Sequence, residues 1–335
     1  MRQCFPRMLL LASTVSMSAC GDAADRPSDV RVGTVAPARQ SAAPVAASKD
    51  ADPPEIADPR QFLNLGPMRW EGWETQPPAD RFARLRELGI KLNRRESGTA
   101  PGEDGQDPMG ERAEDFHFVD FSGDGVPDVI YDGGWFEINS DGQLSAMEGT
   151  RLKLYQVAGG RAVEVMERHG SIKRLWKARP GDPPSLLVEH VGCCSEELWS
   201  VSFYRPVLTG GKVNYEHYRT VLGRQELDVP KQFTGSARRF TVTQDGYLLR
   251  AEPRIDTTDV WPNWGGRGNA MAVYTKGARG TAYAERRDAT GRVWWFVRMD
   301  GRTPPTDAQI RDEPDSPVLT DRIGWMSSRF LTVAP

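Results

Sequence analysis

A mainly β fold with one short helix is what this sequence predicts, and three observations carry that prediction. Gly and Pro are abundant, 33 and 25 among 335 residues, and both punctuate turns. Ten Trp, eight Tyr and twelve Phe supply side chains that suit pleated, half-buried surfaces. Runs such as FHFVDF, VIYDGGWF and LLVEHV are β-branched and aromatic and are bounded by turn residues. At roughly 150 residues per domain the length allows about two domains and a sizeable core. Hydrophobic residues at 39% and charged residues at 27% fit a globular chain. Forty-three Lys plus Arg against 46 Asp plus Glu leave a net charge of -3 with no basic block, which argues against nucleic acid as a partner. Beyond the leader no stretch approaches the roughly 18 to 20 apolar residues of a spanning helix, which excludes a polytopic membrane protein.

Residues 1–19 carry Arg2 and Arg7, an apolar run from Met8 to Met17, then Ser18 and Ala19 before Cys20. That order reads as a secretory signal. The Ser-Ala-Cys ending resembles the lipobox of bacterial lipoproteins, with Met17 where Leu is usual. The resemblance implies that Cys20 is lipidated, becomes the first mature residue and anchors the chain to a membrane. Gly21 stands where Asp commonly signals inner-membrane retention, so the resemblance points to the outer membrane, facing the periplasm. The plainer reading is ordinary cleavage with Cys20 left free. Residues 20–60 are rich in Ala, Pro, Ser and Asp and lack any aromatic. Such a segment cannot offset the entropy of ordering and reads as a flexible tether. Order is expected from about Phe62, opening a β-rich domain over 61–240. Pro77 and Pro78 precede ADRFARLREL, where Phe82, Leu85 and Leu88 share one face of a short helix that Gly89 can end.

The strongest local signal is FHFVDFSGDGVPDVIYDGGWF. Asp120, Ser122, Asp124 and Asp128 fall at alternate or near-alternate places around Gly125, and Val126 offers its carbonyl. A hard Ca²⁺ ion takes six to eight oxygens, supplied at such spacing when a glycine permits the sharp turn. Tyr131 occupies the place where an EF-hand has its bidentate Glu, and the flanks are strand-like, so no EF-hand is predicted. The residues resemble the FG-GAP or VCBS-type calcium loops of bacterial surface proteins, in which D-x-[DN]-x-D-G-x-x-D lies in a β-hairpin. Ser122 replaces the usual Asp or Asn, and the motif occurs once, whereas a propeller repeats it. NSDGQL at 139–144 reads only as a hairpin turn. The resemblance implies a structural Ca²⁺ site, and the alternative is a metal-free Asp-Gly hairpin.

Further along, Cys193 adjoins Cys194 between a strand ending near Val191 and another beginning near Leu198. In an oxidising periplasm a vicinal disulfide is the natural pairing. It would be strained, since neighbouring Cα atoms lie only about 3.8 Å apart. Reduced or separately paired thiols, and a redox or metal role, stay open. The histidines at 117, 169, 190 and 217 show no paired metal spacing.

The segment 241–335 runs from GYLLRAEPRIDT through AVYTKGARGTAYAERRDATGRVWWFVRM to RIGWMSSRFL. Lys276-Gly277 and Thr290-Gly291 read as tight turns, Trp295 to Met299 as a strand alternating in burial, and Ser327 to Leu331 as a helical closing turn. In order and ending the segment resembles bacterial SH3-like domains, which implies a small SH3-like β-barrel whose groove binds peptide, often of the peptidoglycan wall. Long inserts at 256–270 and 301–321 depart from that pattern. Trp261, Trp264, Trp294 and Trp325 would then supply the binding surface. Alternatively some fill the core: Trp295 and Trp325 are expected inside, Trp261 and Trp264 on exposed loops.

The expected function is recognition, by an envelope lipoprotein that binds peptidoglycan peptides or a periplasmic protein. The alternatives are a cell-wall hydrolase targeted by its SH3-like domain and a purely structural envelope component. No Gly-x-Ser-x-Gly, His-Glu-x-x-His or Cys with a distant His of cell-wall peptidase type is found. Paired carboxylates stay open, because any two of the many acids can converge. An exposed aromatic groove would favour binding; a cleft with upward-shifted carboxyls would favour an enzyme.

Overall fold

The computed structural model describes residues 58–75, 78–92, 111–138, 144–192, 198–234, 236–257, 268–309 and 318–334. The leader, Cys20, the tether up to residue 57, Cys193, Cys194, Trp261 and Trp264 lie outside the described residues. Asp58 accepts a hydrogen bond from the Arg60 amide at 3.0 Å and caps the 3-10 turn Pro59–Gln61. Phe62, the first aromatic after the tether, is already buried.

Asp80 starts helix α1 (Arg81–Glu87), its Oδ1 accepting from the Ala83 amide at 2.9 Å. Gly89 ends the helix at φ 78°. Its amide donates to Arg86 and that of Ile90 to Leu85, both at 3.0 Å, the paired bonds that satisfy terminal carbonyls. Four antiparallel strands follow as a meander: β1 (Phe116–Val119), β2 (Asp128–Ile138), β3 (Leu144–Ala158) and β4 (Arg161–His169). One face packs Phe116, Phe118, Val129 and Tyr131 against Leu85, Leu88 and Ile90. The other packs Ile130, Leu152 and Leu154 against Ile172, Leu186 and Val188 of the next sheet. Both faces being covered, the run Val129-Ile130-Tyr131 is apolar at every position.

The larger sheet holds β5 (Ser171–Trp176), β6 (Ser185–Val191), β7 (Leu198–Thr209), β8 (Lys212–Arg224), β9 (Arg238–Val242), β10 (Tyr247–Arg250), β11 (Ala270–Tyr274), β12 (Arg279–Arg287), β13 (Val293–Met299), β14 (Asp307–Ala308), β15 (Leu319–Ser327) and β16 (Leu331–Val333). Its main path is β16-β9-β12-β13-β15-β8-β7-β6-β5, while β10 pairs with β11 and β15, and β14 with β11. The join between β15 and β8 is parallel, from Leu319 opposite Arg219 to Arg322 opposite Leu222. The sheet is therefore continuous across the boundary expected at 240/241, and β9 itself spans it.

That join is pinned by a buried ion pair. Arg219 donates to Asp321 from Nε at 3.1 Å and from Nη2 at 2.9 Å, Arg298 Nη1 lies 3.5 Å from the same carboxylate, and the Gly301 amide donates to it at 2.8 Å. Asp321 is 0% exposed, Arg219 3% and Arg298 4%.

The turns at Gly277 and Gly291 have φ 94° and 83°, and Ser328–Phe330 is a 3-10 turn, as the sequence predicts. The alternation expected along β13 does not occur: every residue from Trp294 to Met299 is buried. Trp295, Val297 and Met299 enter a core closed by β9 to β12, with Phe240, Leu249 and Tyr274. Trp294 and Phe296 enter a second core with Phe62, Leu187, Val201, Phe203 and Trp325. The strand is a wall shared by two cores, a consequence of the join to β8 that a local pattern does not contain.

Candidate functional site

Two places in the fold gather chemistry: the acidic loop between β1 and β2, and a surface cleft where β10, β13 and the closing turn meet.

The acidic loop leaves the sheet at Val119, which pairs with Asp128. Asp120 accepts from the Gly123 amide at 2.7 Å and from the Gly125 amide at 3.0 Å, and Asp124 from the Val126 amide at 2.8 Å. Gly125 turns the chain at φ 85°, a conformation that side chains disfavour. Asp128 is fully buried and takes the Ser122 amide on one oxygen and the Val157 amide on the other, each at 2.8 Å. Among the described residues no Lys or Arg side chain is paired with it, and burial pushes its carboxyl up to about 6. The Ser122 side chain is buried beside it and, with the two amides, opposes that rise. A buried carboxylate whose described partners are amides and a hydroxyl, with no cationic side chain, suits a cation, while Asp120 and Asp124 spend oxygens on backbone amides. Val126 is exposed. No group of three His, Cys, Asp or Glu side chains is gathered around a metal position among the described residues.

The cleft has a volume of about 180 Å³ and is lined by Tyr247, Arg250, Arg292, Trp294, Arg329 and Phe330, with Ile255 at its rim. Tyr247 donates its hydroxyl to the Ser327 carbonyl at 2.6 Å and meets the Phe330 ring edge-on at 5.6 Å. Arg250 forms the floor, only 7% exposed, where β10 touches β15 opposite Trp325. Gly324 makes that approach possible, since a Cβ there would sit 2.6 Å from the Arg250 carbonyl oxygen. Burial, and secondly Arg292, hold the Arg250 guanidinium below its ordinary pKa.

Asp288, outside the lining, organises the turn that carries Arg292 and Trp294. It accepts from the Thr290 hydroxyl at 2.6 Å, the Trp294 indole at 2.8 Å and the Arg292 amide at 3.1 Å. Those bonds, the Thr290 hydroxyl first, bring its carboxyl down to about 2. Arg292 Cζ lies 5.7 Å from the Trp294 ring centroid, and Arg329 Cζ lies 5.2 Å from that of Phe330. Cations are thus laid against aromatic faces around one opening.

Of the tryptophans expected to bind ligand, Trp294 stands at the inner wall but is 1% exposed, its indole N–H committed to Asp288. Trp325 takes the second of the two places the sequence allowed it, the core: it is 0% exposed, donates to the Asp228 carbonyl at 2.6 Å and meets Phe296 edge-on. There it fills the core shared with Phe62, Val201, Phe203 and Phe296. Trp295 lies in the core, as expected. Tyr247, Arg250, Arg292, Arg329 and Phe330, which line the cleft, are not among the binding residues the sequence predicts, although Arg329 and Phe330 belong to the predicted closing turn. Their one legible signal is an Arg beside an aromatic or apolar residue in LLR, GRVW and SRF.

The carboxyls that burial raises, Asp128, Asp132 and Asp321, do not line this cleft. Asp132 is pushed up to about 7 by burial, against hydrogen bonds from Ser171 and the Ile172 amide and the charge of Lys173, with Asp115 adding to the rise. Its Oδ1 has no hydrogen-bond partner.

No family model, curated protein or solved structure matches this chain.

Proposed function

We propose that the protein is a lipid-anchored envelope module that recognises peptide, of the kind displayed by the peptidoglycan wall, in the cleft between β10 and the Ser328–Phe330 turn. The observation that carries this reading is the convergence of Tyr247, Phe330, Arg292 and Arg329 on one open concavity. Rigid aromatic walls give contact area at low entropic cost, and guanidinium groups give orientation. The cleft lies in the segment that resembles bacterial SH3-like domains, and the leader's likeness to a lipobox would hold it at the outer membrane, facing the wall. Co-sedimentation of the full chain with purified sacculi tests the reading. The wild type is expected to pellet and Phe330→Ala to pellet several-fold less at an unchanged melting temperature. Absence of pelleting by the wild type would overturn it, and release of soluble wall fragments would favour a hydrolase.

The acidic loop, in the same reading, holds one structural Ca²⁺, with Asp120, Ser122, Asp124, Asp128 and the Val126 carbonyl as its ligands. Binding to the native state alone stabilises by about 2.7 kcal/mol when the ion stands at a hundred times its dissociation constant. Ca²⁺ is therefore expected to raise the melting temperature of the wild type and to do so less in Asp124→Ala. Identical melting in Ca²⁺ and in EGTA would remove the metal from the account.

A further inference from the structure

Arg250 is a buried cation whose described partners are neutral. Its Nη1 donates to Asn269 Oδ1 at 2.8 Å, and Asn269 is itself held, its Nδ2 donating to the Arg254 carbonyl at 3.1 Å and the Glu252 carbonyl at 3.5 Å. An amide oxygen orients a guanidinium without neutralising it. The carboxylate that acts on Arg250 from a distance, Asp256, is paired with Arg254 at 3.1 Å. No Asp or Glu is among the described residues lining the cleft, whereas Arg250, Arg292 and Arg329 all are. Removing a guanidinium from water is costly unless an anion meets it. Here the fold removes it, fixes its plane and opens it to a pocket that concentrates two further positive charges.

The walls narrow the choice of anion. Tyr247, Trp294 and Phe330 are aromatic, and Ile255 at the rim is 54% exposed. A ligand that satisfies both floor and walls carries its negative charge next to an apolar group, and a planar carboxylate matches the guanidinium fork. We propose that the cleft recognises the free α-carboxylate at the C-terminal end of a peptide, with Arg250 and Arg292 on the carboxylate and Tyr247, Phe330 and Ile255 on the terminal side chain. The proposal rests on the peptide-binding reading above and sharpens it.

Calorimetric titration of the full chain with an N-acetylated tripeptide ending in alanine, as the free acid and as the C-terminal amide, tests it. The acid is expected to bind, and the amide about ten- to a hundredfold more weakly, the usual worth of a hydrogen-bonded charge. Arg292→Gln should weaken the acid and leave the amide unchanged, with melting unaltered. Arg250→Lys keeps the buried charge but loses the fork and should behave likewise. Equal binding of acid and amide would overturn the carboxylate assignment while leaving peptide recognition standing. Failure of both peptides together with failure to pellet with sacculi would overturn recognition itself. Displacement of the acid by equimolar inorganic phosphate would mark a general anion pocket and also overturn the assignment.

Discussion

Asp321→Ala is expected to lose about 3–5 kcal/mol of stability, the usual cost of removing one partner from a buried ion pair. The substitution takes away the carboxylate that Arg219 and Arg298 share and the acceptor of the Gly301 amide. Both guanidiniums stay where the sheet places them, 3% and 4% exposed, and water cannot replace the lost charge cheaply. Asp321→Asn retains one acceptor and the side chain's volume, so it should lose less than the alanine variant. Urea unfolding of the three proteins measures the difference. A loss below about 1 kcal/mol in the alanine variant, the level of an exposed ion pair, would mean that the β8–β15 join is held by its backbone ladder and apolar packing alone.

Asp132→Asn is expected to stabilise the protein at alkaline pH and to matter little in acid. In the folded state the Asp132 carboxyl titrates at about 7, against 3.8 for its ordinary value. The native state therefore holds the proton more tightly than the unfolded chain. The stability this group contributes is complete below the ordinary value and is lost as pH rises through the folded one. At about 1.4 kcal/mol per unit the swing is a few kcal/mol as an upper bound, with Lys173 on one side and Asp115 on the other setting the balance. Melting temperatures of wild type and Asp132→Asn should converge near pH 4 and separate, with the variant higher, by pH 8. Parallel curves across that range would show that the carboxyl does not change its protonation there.

Local features were legible in the sequence wherever local chemistry decides them. Asp80 and Gly89 bracket a helix because a carboxylate accepts the first free amides and a glycine adopts the left-handed turn. FHFV and VIYDGGWF flank an acidic turn as paired strands, since their side chains suit a pleated surface covered on both sides. What the sequence hid was non-local. Nothing within VWWFVRM says that its two faces meet different cores; that follows from β8, about a hundred residues earlier, lying beside β15. The cleft was hidden for a related reason. Arg250, Arg292 and Phe330 come from three separate segments, and an arginine's surroundings, rather than its identity, decide whether it is solvated or poised for an anion. The tryptophans drew attention because their size makes them conspicuous, and size is also what draws them into the core.

The parallel join of β8 to β15 also sets an order of events during folding. Arg219 and Asp321 are 102 positions apart, so the ladder between their strands forms only once both of these distant segments are present. Closing so long a loop adds only a modest entropic cost over a shorter one, but pairings this distant slow the search for the native arrangement. Without that ladder the β8 edge opposite β7 lacks its native partner, and an unpaired strand edge is of the kind that invites association between chains. The last strands are therefore more than an appended module: their arrival closes the edge left by the first.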